Sequence, residues 1–204
     1  MVTHFIWPDE RFYPQDIAIS SRFATGDCSD KGAMIYSEAA YLFSDFPMIL
    51  IERTSPKHPQ ATALLKASHA LMQSLFPPED NFYLEIDDLC VPSIRFFTAR
   101  KGDTIFGTGA LAIKDGYGEV KSMFVAENAR GSGAADALLR QIEDEARAEN
   151  LDWLKLETGN LLHAAHKVYA RHGFTKCRPF GDYPDANSSI FMEKRLTALS
   201  DDEG

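Results

Sequence analysis

A mixed α/β domain, with a central and mostly antiparallel sheet flanked by helices, is the fold class that the sequence predicts. Two observations carry this reading. Between Ile94 and Val125 three apolar-rich segments follow one another across two short glycine turns, Lys101-Gly102-Asp103 and Asp115-Gly116, the pattern of an antiparallel meander. Directly afterwards the period changes: Ala134, Ala137, Leu138, Ile142 and Ala146 make one helical stripe.

The elements follow in order. Met48-Ile49-Leu50-Ile51 reads as a buried strand. After Pro56 and Pro59 the stretch Gln60 to Phe76 sets Ala63, Leu64, Ala67, Leu71 and Leu75 at helical spacing, and Pro77-Pro78 ends it. The polar Glu79-Asp80-Asn81 makes a loop that could line a pocket, followed by a short irregular piece from Ile86 to Leu89. The meander comprises Ile94 to Ala99, Thr104 to Ile113 and Glu119 to Val125. In the next helix Asp136/Arg140, Arg140/Asp144 and Glu143/Arg147 are expected as charge pairs on the exposed side, and Asn150 as a left-handed stop. Trp153 to Glu157 reads as a strand, and Leu162 to His172 as a helix ended by Gly173. Phe174 to Cys177 and Ser189 to Leu196 close the sheet.

This domain spans residues 48–197. Residues 198–204 form an acidic tail expected to be flexible. Residues 1–47 carry nine aromatics without a sustained period; that apolar load predicts a segment packed on the domain or on a partner subunit. The net charge of -9 excludes a general phosphate-binding surface, hence nucleic acid as partner. Three widely spaced cysteines fit neither a disulfide framework nor a zinc pattern, and no apolar run reaches membrane-spanning length. A cytoplasmic protein is expected, with homodimerisation left open.

The chemistry concentrates at Asn128-Ala129-Arg130-Gly131-Ser132-Gly133-Ala134, between the last meander strand and the helix that follows. Small residues at a helix start let backbone N–H groups close around an anion, and the helix dipole adds partial positive charge. A tight strand-to-helix turn would use the same residues; its position after an antiparallel meander favours the diphosphate cradle. A Walker loop would need Lys and then Ser or Thr where Ala134-Ala135 stand, and a dinucleotide fingerprint would need a parallel unit with three spaced glycines.

On these residues the chain resembles the GNAT N-acetyltransferase superfamily, in particular its small bacterial members. The cradle appears as Asn128-x-x-Gly131-x-Gly133, with Asn128 where Gln or Arg is usual, and the second hallmark as Tyr169-Ala170-Arg171-His172-Gly173-Phe174. Phe180-Gly181-Asp182-Tyr183 and Ser189-Ile190-Phe191-Met192 add to the likeness, which covers about Met48 to Leu196.

The resemblance implies an acetyl-CoA-dependent enzyme acting on a primary amine of a small molecule or peptide. The backbone at Met123, Phe124 and Val125 would bind the pantetheine arm, and the amides of Arg130, Gly131, Ser132, Gly133 and Ala134 the pyrophosphate. Glu119 is the candidate base; a strand carboxylate paired with Lys121 or Lys155 is the other reading. Tyr169 is the candidate acid for the departing thiolate, against a core aromatic. Glu79, Asp80, Asp182 and Tyr183 fall where such enzymes form the acceptor pocket. His163 and His166 lack acidic or Cys partners at ligand spacing, so no metal is expected. A non-catalytic acyl-CoA-binding module is the alternative function, against which the presence of Tyr169 speaks.

Overall fold

The computed structural model describes residues 48–196; the aromatic extension and the acidic tail lie outside the described residues. Strand β1 (Leu50–Arg53) leads to helix α1 (Pro59–Leu75), and two short 3-10 turns, Pro78–Asp80 and Asp88–Cys90, precede the meander β2 (Ile94–Lys101), β3 (Thr104–Lys114) and β4 (Tyr117–Val125). Helix α2 (Ala134–Ala148), strand β5 (Trp153–Gly159), helix α3 (His163–Arg171) and strands β6 (Thr175–Lys176) and β7 (Ser189–Arg195) complete the domain.

All seven strands belong to one sheet in the order β1-β2-β3-β4-β5-β7-β6. Every pairing is antiparallel except β4 with β5, so the expected mixed, mostly antiparallel sheet is observed. Side chains alternate across the sheet. One face buries Phe97, Leu111, Val120, Leu154 and Leu156 beneath α2 and α3, with Leu138, Leu139, Ile142 and Tyr169 completing the core. The other face carries Phe96 and Ala110 against Ala61 and Leu65 of α1.

Three sequence expectations are corrected. The first strand runs two residues later than expected, because its ladder with β2 extends from Leu50–Arg100 to Arg53–Phe97 and recruits the polar Glu52 and Arg53, while Met48 stays 84% exposed. Helix α1 turns a different stripe inward: Ala61 and Leu65 are buried, whereas Ala63 and Ala67 are exposed. The anchor is Phe76, whose ring lies so close over Gly159 that a Cβ there would come within 2.3 Å of it, fixing the rotation of the helix that leads to it.

The third correction concerns α2. Asp136 pairs with Arg171 and His172 of the α3 end, at 2.7 and 2.9 Å, in place of Arg140. Glu143 is buried among Lys194, His172 and Arg147 rather than lying on a solvent face. A helix wheel marks these positions as polar but cannot show that α3 and β7 cover them. Asn150 does stop α2 in the left-handed region, at φ 57°.

Candidate active site

The site begins where two strands part. The parallel ladder between β4 and β5 consists of Gly118–Leu154 and Glu119–Lys155. Beyond it β4 is bent by a register shift against β3, between Thr108 and Ala110, at which Ser122 takes φ 53°. A left-handed serine is unfavourable, and the Thr108 hydroxyl holds the bulge by donating to the Ser122 carbonyl at 2.9 Å. On the β3 side Phe124 and Val125 pair with Thr108 and Gly107, so the opposite backbone edge of β4, from Met123 to Val125, faces the gap.

At the apex of the gap sits Glu119, 4% exposed, on the sheet face away from α2. Tyr183 donates a hydrogen bond to its Oε1, and Lys121 Nζ lies 3.4 Å from the same oxygen. The lysine also donates to the Tyr183 hydroxyl at 2.6 Å and to the Phe82 carbonyl at 3.1 Å. Burial and the Glu119 carboxylate beside it hold the Tyr183 hydroxyl far above the usual tyrosine range. Glu119 is therefore a buried carboxylate with one hydrogen-bond donor and one ion-pair partner; the pairing with Lys121 expected in the other reading is present, but in the interior and not at the strand surface.

Two residues past the ladder, Glu157 accepts a hydrogen bond from the Ser189 hydroxyl at 2.7 Å. Burial pushes its carboxyl above the ordinary range despite that bond and the Lys121 charge. Tyr169 of α3 stands on the opposite sheet face, 7% exposed, edge-on to Phe174 at 5.9 Å. Burial, reinforced by the charge of Glu157, drives its hydroxyl far up, so it holds its proton at neutral pH.

At the far end of β4 the 3-10 turn Glu127–Ala129 carries Asn128 and leads into Arg130-Gly131-Ser132-Gly133. Gly131 and Gly133 take φ 77° and 86°, and a Cβ on either would meet nothing within 4 Å. The glycines are thus required by backbone conformation and leave open space at the start of α2, as a diphosphate cradle needs. The Ser132 hydroxyl accepts from the Ala134 N–H at 3.4 Å.

The acceptor-side candidates divide. Tyr183 is brought onto Glu119, and Asp80 lies near enough to act on Glu157. Asp182 is exposed and acts on Tyr117; Glu79 is exposed on the 3-10 turn after α1. His166 Nε2 lies 2.9 Å from the Gly159 carbonyl, and among the described residues no group of three or more His, Cys, Asp or Glu side chains could hold a metal ion. Glu157 and Ser189 were not singled out from sequence, and Lys121 only as a pairing partner of Glu119. The available signal was the alternation Glu119-Val120-Lys121 and Lys155-Leu156-Glu157, which marks one polar face on each strand; the ladder alone sets the two faces side by side.

By fold and site this molecule falls in the class of acyltransferases. The acetyltransferase (GNAT) family model matches residues 62–174. The chain is 42% identical over 152 residues to the IAA acetyltransferase of Azospirillum brasilense, a match taking in 74% of this chain and 99% of that protein. A solved structure assigned as an acyl-CoA N-acyltransferase from Klebsiella pneumoniae superposes with TM-score 0.63 and 29% identity, covering 74% of this chain and 99% of that one. A GNAT family acetyltransferase from Elizabethkingia anophelis, solved with acetyl-CoA bound, shares the fold at TM-score 0.54 and 22% identity, over 72% and 98% of the two chains. The chain belongs to the acetyltransferase (GNAT) family and is an acyltransferase enzyme. Among the described residues no helix is long and apolar enough to cross a membrane.

Proposed function

We propose that the enzyme is an N-acetyltransferase that passes an acetyl group from acetyl-CoA directly to a primary amine of a small molecule or peptide. The observation that carries this reading is the parting of β4 from β5 just after Glu119–Lys155, between a buried acid–base cluster and a glycine-built helix start. Asn128 and the amides of Arg130 to Ala134 would hold the diphosphate. The free backbone edge from Met123 to Val125 would pair with the pantetheine arm as an added strand does, leading the thioester into the gap.

An amine with a pKa of about 10.4 is protonated at neutral pH and has no lone pair for attack. In this reading Glu119 is the base that frees it, through water, and Tyr169 gives its proton to the departing thiolate. Asp80, Asp182, Glu79 and Tyr183 stand on the acceptor side, where negative charge favours an incoming ammonium. The odd number and wide spacing of the cysteines support a cytoplasmic setting.

The test is to incubate the protein with acetyl-CoA and a panel of primary amines and to follow free thiol. Release above background hydrolysis, with acetylated amine detected by mass, is expected. Tight acetyl-CoA binding with no thiol release from any amine would instead identify a non-catalytic acyl-CoA-binding module.

A further inference from the structure

Asp136 stands in the first turn of α2, as the third residue of the helix that the two glycines open. A helix rises about 1.5 Å per residue, so its Cα lies only about 3–5 Å along the axis from that start. Its Cα–Cβ bond, like every helical one, tilts back toward the N-terminus. A carboxylate in this place has two effects of opposite sign. It favours the helix by itself through the dipole, and it opposes a second anion seated on the same N–H groups, well inside a Debye length of about 8 Å.

The carboxylate is held by α3. Arg171, the last residue of that helix, donates to it three times: Nη2 to Oδ1 at 2.7 Å and to Oδ2 at 3.0 Å, and Nε to Oδ1 at 3.2 Å. His172 Nε2 lies 2.9 Å from Oδ1 on the buried side. The ring of His172 is fixed in turn, since its Nδ1 lies 3.4 Å from Glu143 Oε1, which Lys194 of β7 holds at 2.7 Å. The end of α3 is set by its backbone: the Phe174 N–H closes on the Tyr169 carbonyl at 3.0 Å and Gly173 takes φ 83°. Burial raises the Asp136 carboxyl, but Arg171 and His172 together outweigh it, so it is ionised at neutral pH. A negative charge thus stands in the first turn of α2 with its counter-charge supplied by another element.

We propose, on the N-acetyltransferase reading and the glycine cradle within it, that Arg171, with His172 behind it, is a positioning residue for CoA: it holds the Asp136 carboxylate on α3 and cancels its charge, so that the start of α2 accepts the diphosphate. CoA affinity is then set in part by an ion pair between two helices as well as by the cradle amides. Without Arg171 the diphosphate meets an uncompensated like charge. Without both Arg171 and the Asp136 charge the conflict is gone.

The test is a double-variant cycle on the full chain, read by calorimetric titration of CoA at low and at high salt, with circular dichroism confirming each fold. Arg171→Gln should weaken CoA binding about ten-fold at low salt and less at high salt. Asp136→Asn should bind CoA at least as tightly as wild type although it loses the same ion pair, and Asp136→Asn combined with Arg171→Gln should return to within about two-fold of wild type. Arg171→Lys, which keeps the charge, should stay within about three-fold of wild type. With acetyl-CoA and an accepted amine, the KM for acetyl-CoA should follow this pattern while kcat changes less than about three-fold. Unchanged affinity in Arg171→Gln, equal losses in Asp136→Asn and Arg171→Gln, or a loss in Arg171→Gln that Asp136→Asn does not rescue would each overturn the proposal, the last by making Arg171 a direct phosphate ligand. Gly131→Val separates this from the reading beneath it: unchanged CoA affinity in that variant removes the cradle itself, whereas a loss there beside wild-type affinity in Arg171→Gln removes only the role of Arg171.

Discussion

A single atom separates function from packing at Tyr169. Tyr169 is buried in the core, where the charge of Glu157 acts on its hydroxyl, so deleting that hydroxyl alone tells a packing role from the proposed acid role. In Tyr169→Phe turnover should fall about a hundred-fold or more with acetyl-CoA affinity unchanged, as measured by steady-state kinetics beside calorimetry. A core aromatic would show near-normal turnover and lose at most about 1 kcal/mol of stability. Glu157 offers a second measurement, on the fold itself. Its folded-state pKa is raised, so its contribution to stability is complete below the unfolded value of about 4.3 and is lost as pH rises through the folded value. Glu157→Gln should therefore unfold at a higher temperature than wild type at pH 7 in scanning calorimetry, and this advantage should disappear near pH 4.

Elements carry the next two predictions. The start of α2 depends on two left-handed glycines with open space before them. Gly131→Val would place a branched side chain in that space and force it into a conformation costing about 1–2 kcal/mol. Acetyl-CoA titration should show clearly weaker binding with the circular dichroism spectrum retained; an unchanged dissociation constant would remove the cradle from this account. The packing of α2 on α3 and β7 runs through Glu143, which is buried between Lys194 at 2.7 Å and His172 at 3.4 Å. Glu143→Ala leaves the lysine without its carboxylate in a largely closed setting, a loss of about 3 kcal/mol. Urea unfolding should record it as a lower midpoint, whereas a truly surface-exposed Glu143 would lose less than about 1 kcal/mol.

At the scale of the whole molecule, the sheet separates a largely apolar face sealed by α2 and α3, which includes Tyr169, from a mixed face that holds Glu119, Lys121 and Glu157, and β4 and β5 part at one seam. Acid should loosen the contact of α2 with the end of α3 through Asp136. Burial pushes the Asp136 carboxyl up, but Arg171 and His172 outweigh it and leave its pKa below the ordinary value. A depressed carboxylate contributes stability above its unfolded pKa of about 3.9, lost as pH falls through the folded value. Asp136→Asn should thus be less stable than wild type at pH 7 and equal to it near pH 2 in thermal melts; a constant difference across that range would place the effect outside ionisation.

Much of this was present in the chain as local pattern. The meander, the helix after it and the two-glycine turn that opens it follow from periodicity and turn residues, because each depends on neighbours within a few positions; Glu119 and Tyr169 were candidates through the resemblance to the family alone. Pairing across long separations is another matter. That Tyr183 would close on Glu119 and Lys121, that Asp136 and Glu143 would turn toward α3 and β7, and that Phe76 over Gly159 would set the face of α1 are decided by segments dozens of residues apart meeting in space. Glu157 shows the limit most plainly: in sequence it is one charge in an alternating strand, and its setting arises only because β4 bends away from β5 two residues before it. Local sequence determined which elements form and where the motifs lie; tertiary structure alone decided which charges lose water together, since desolvation depends on what covers a group and not on what adjoins it along the chain.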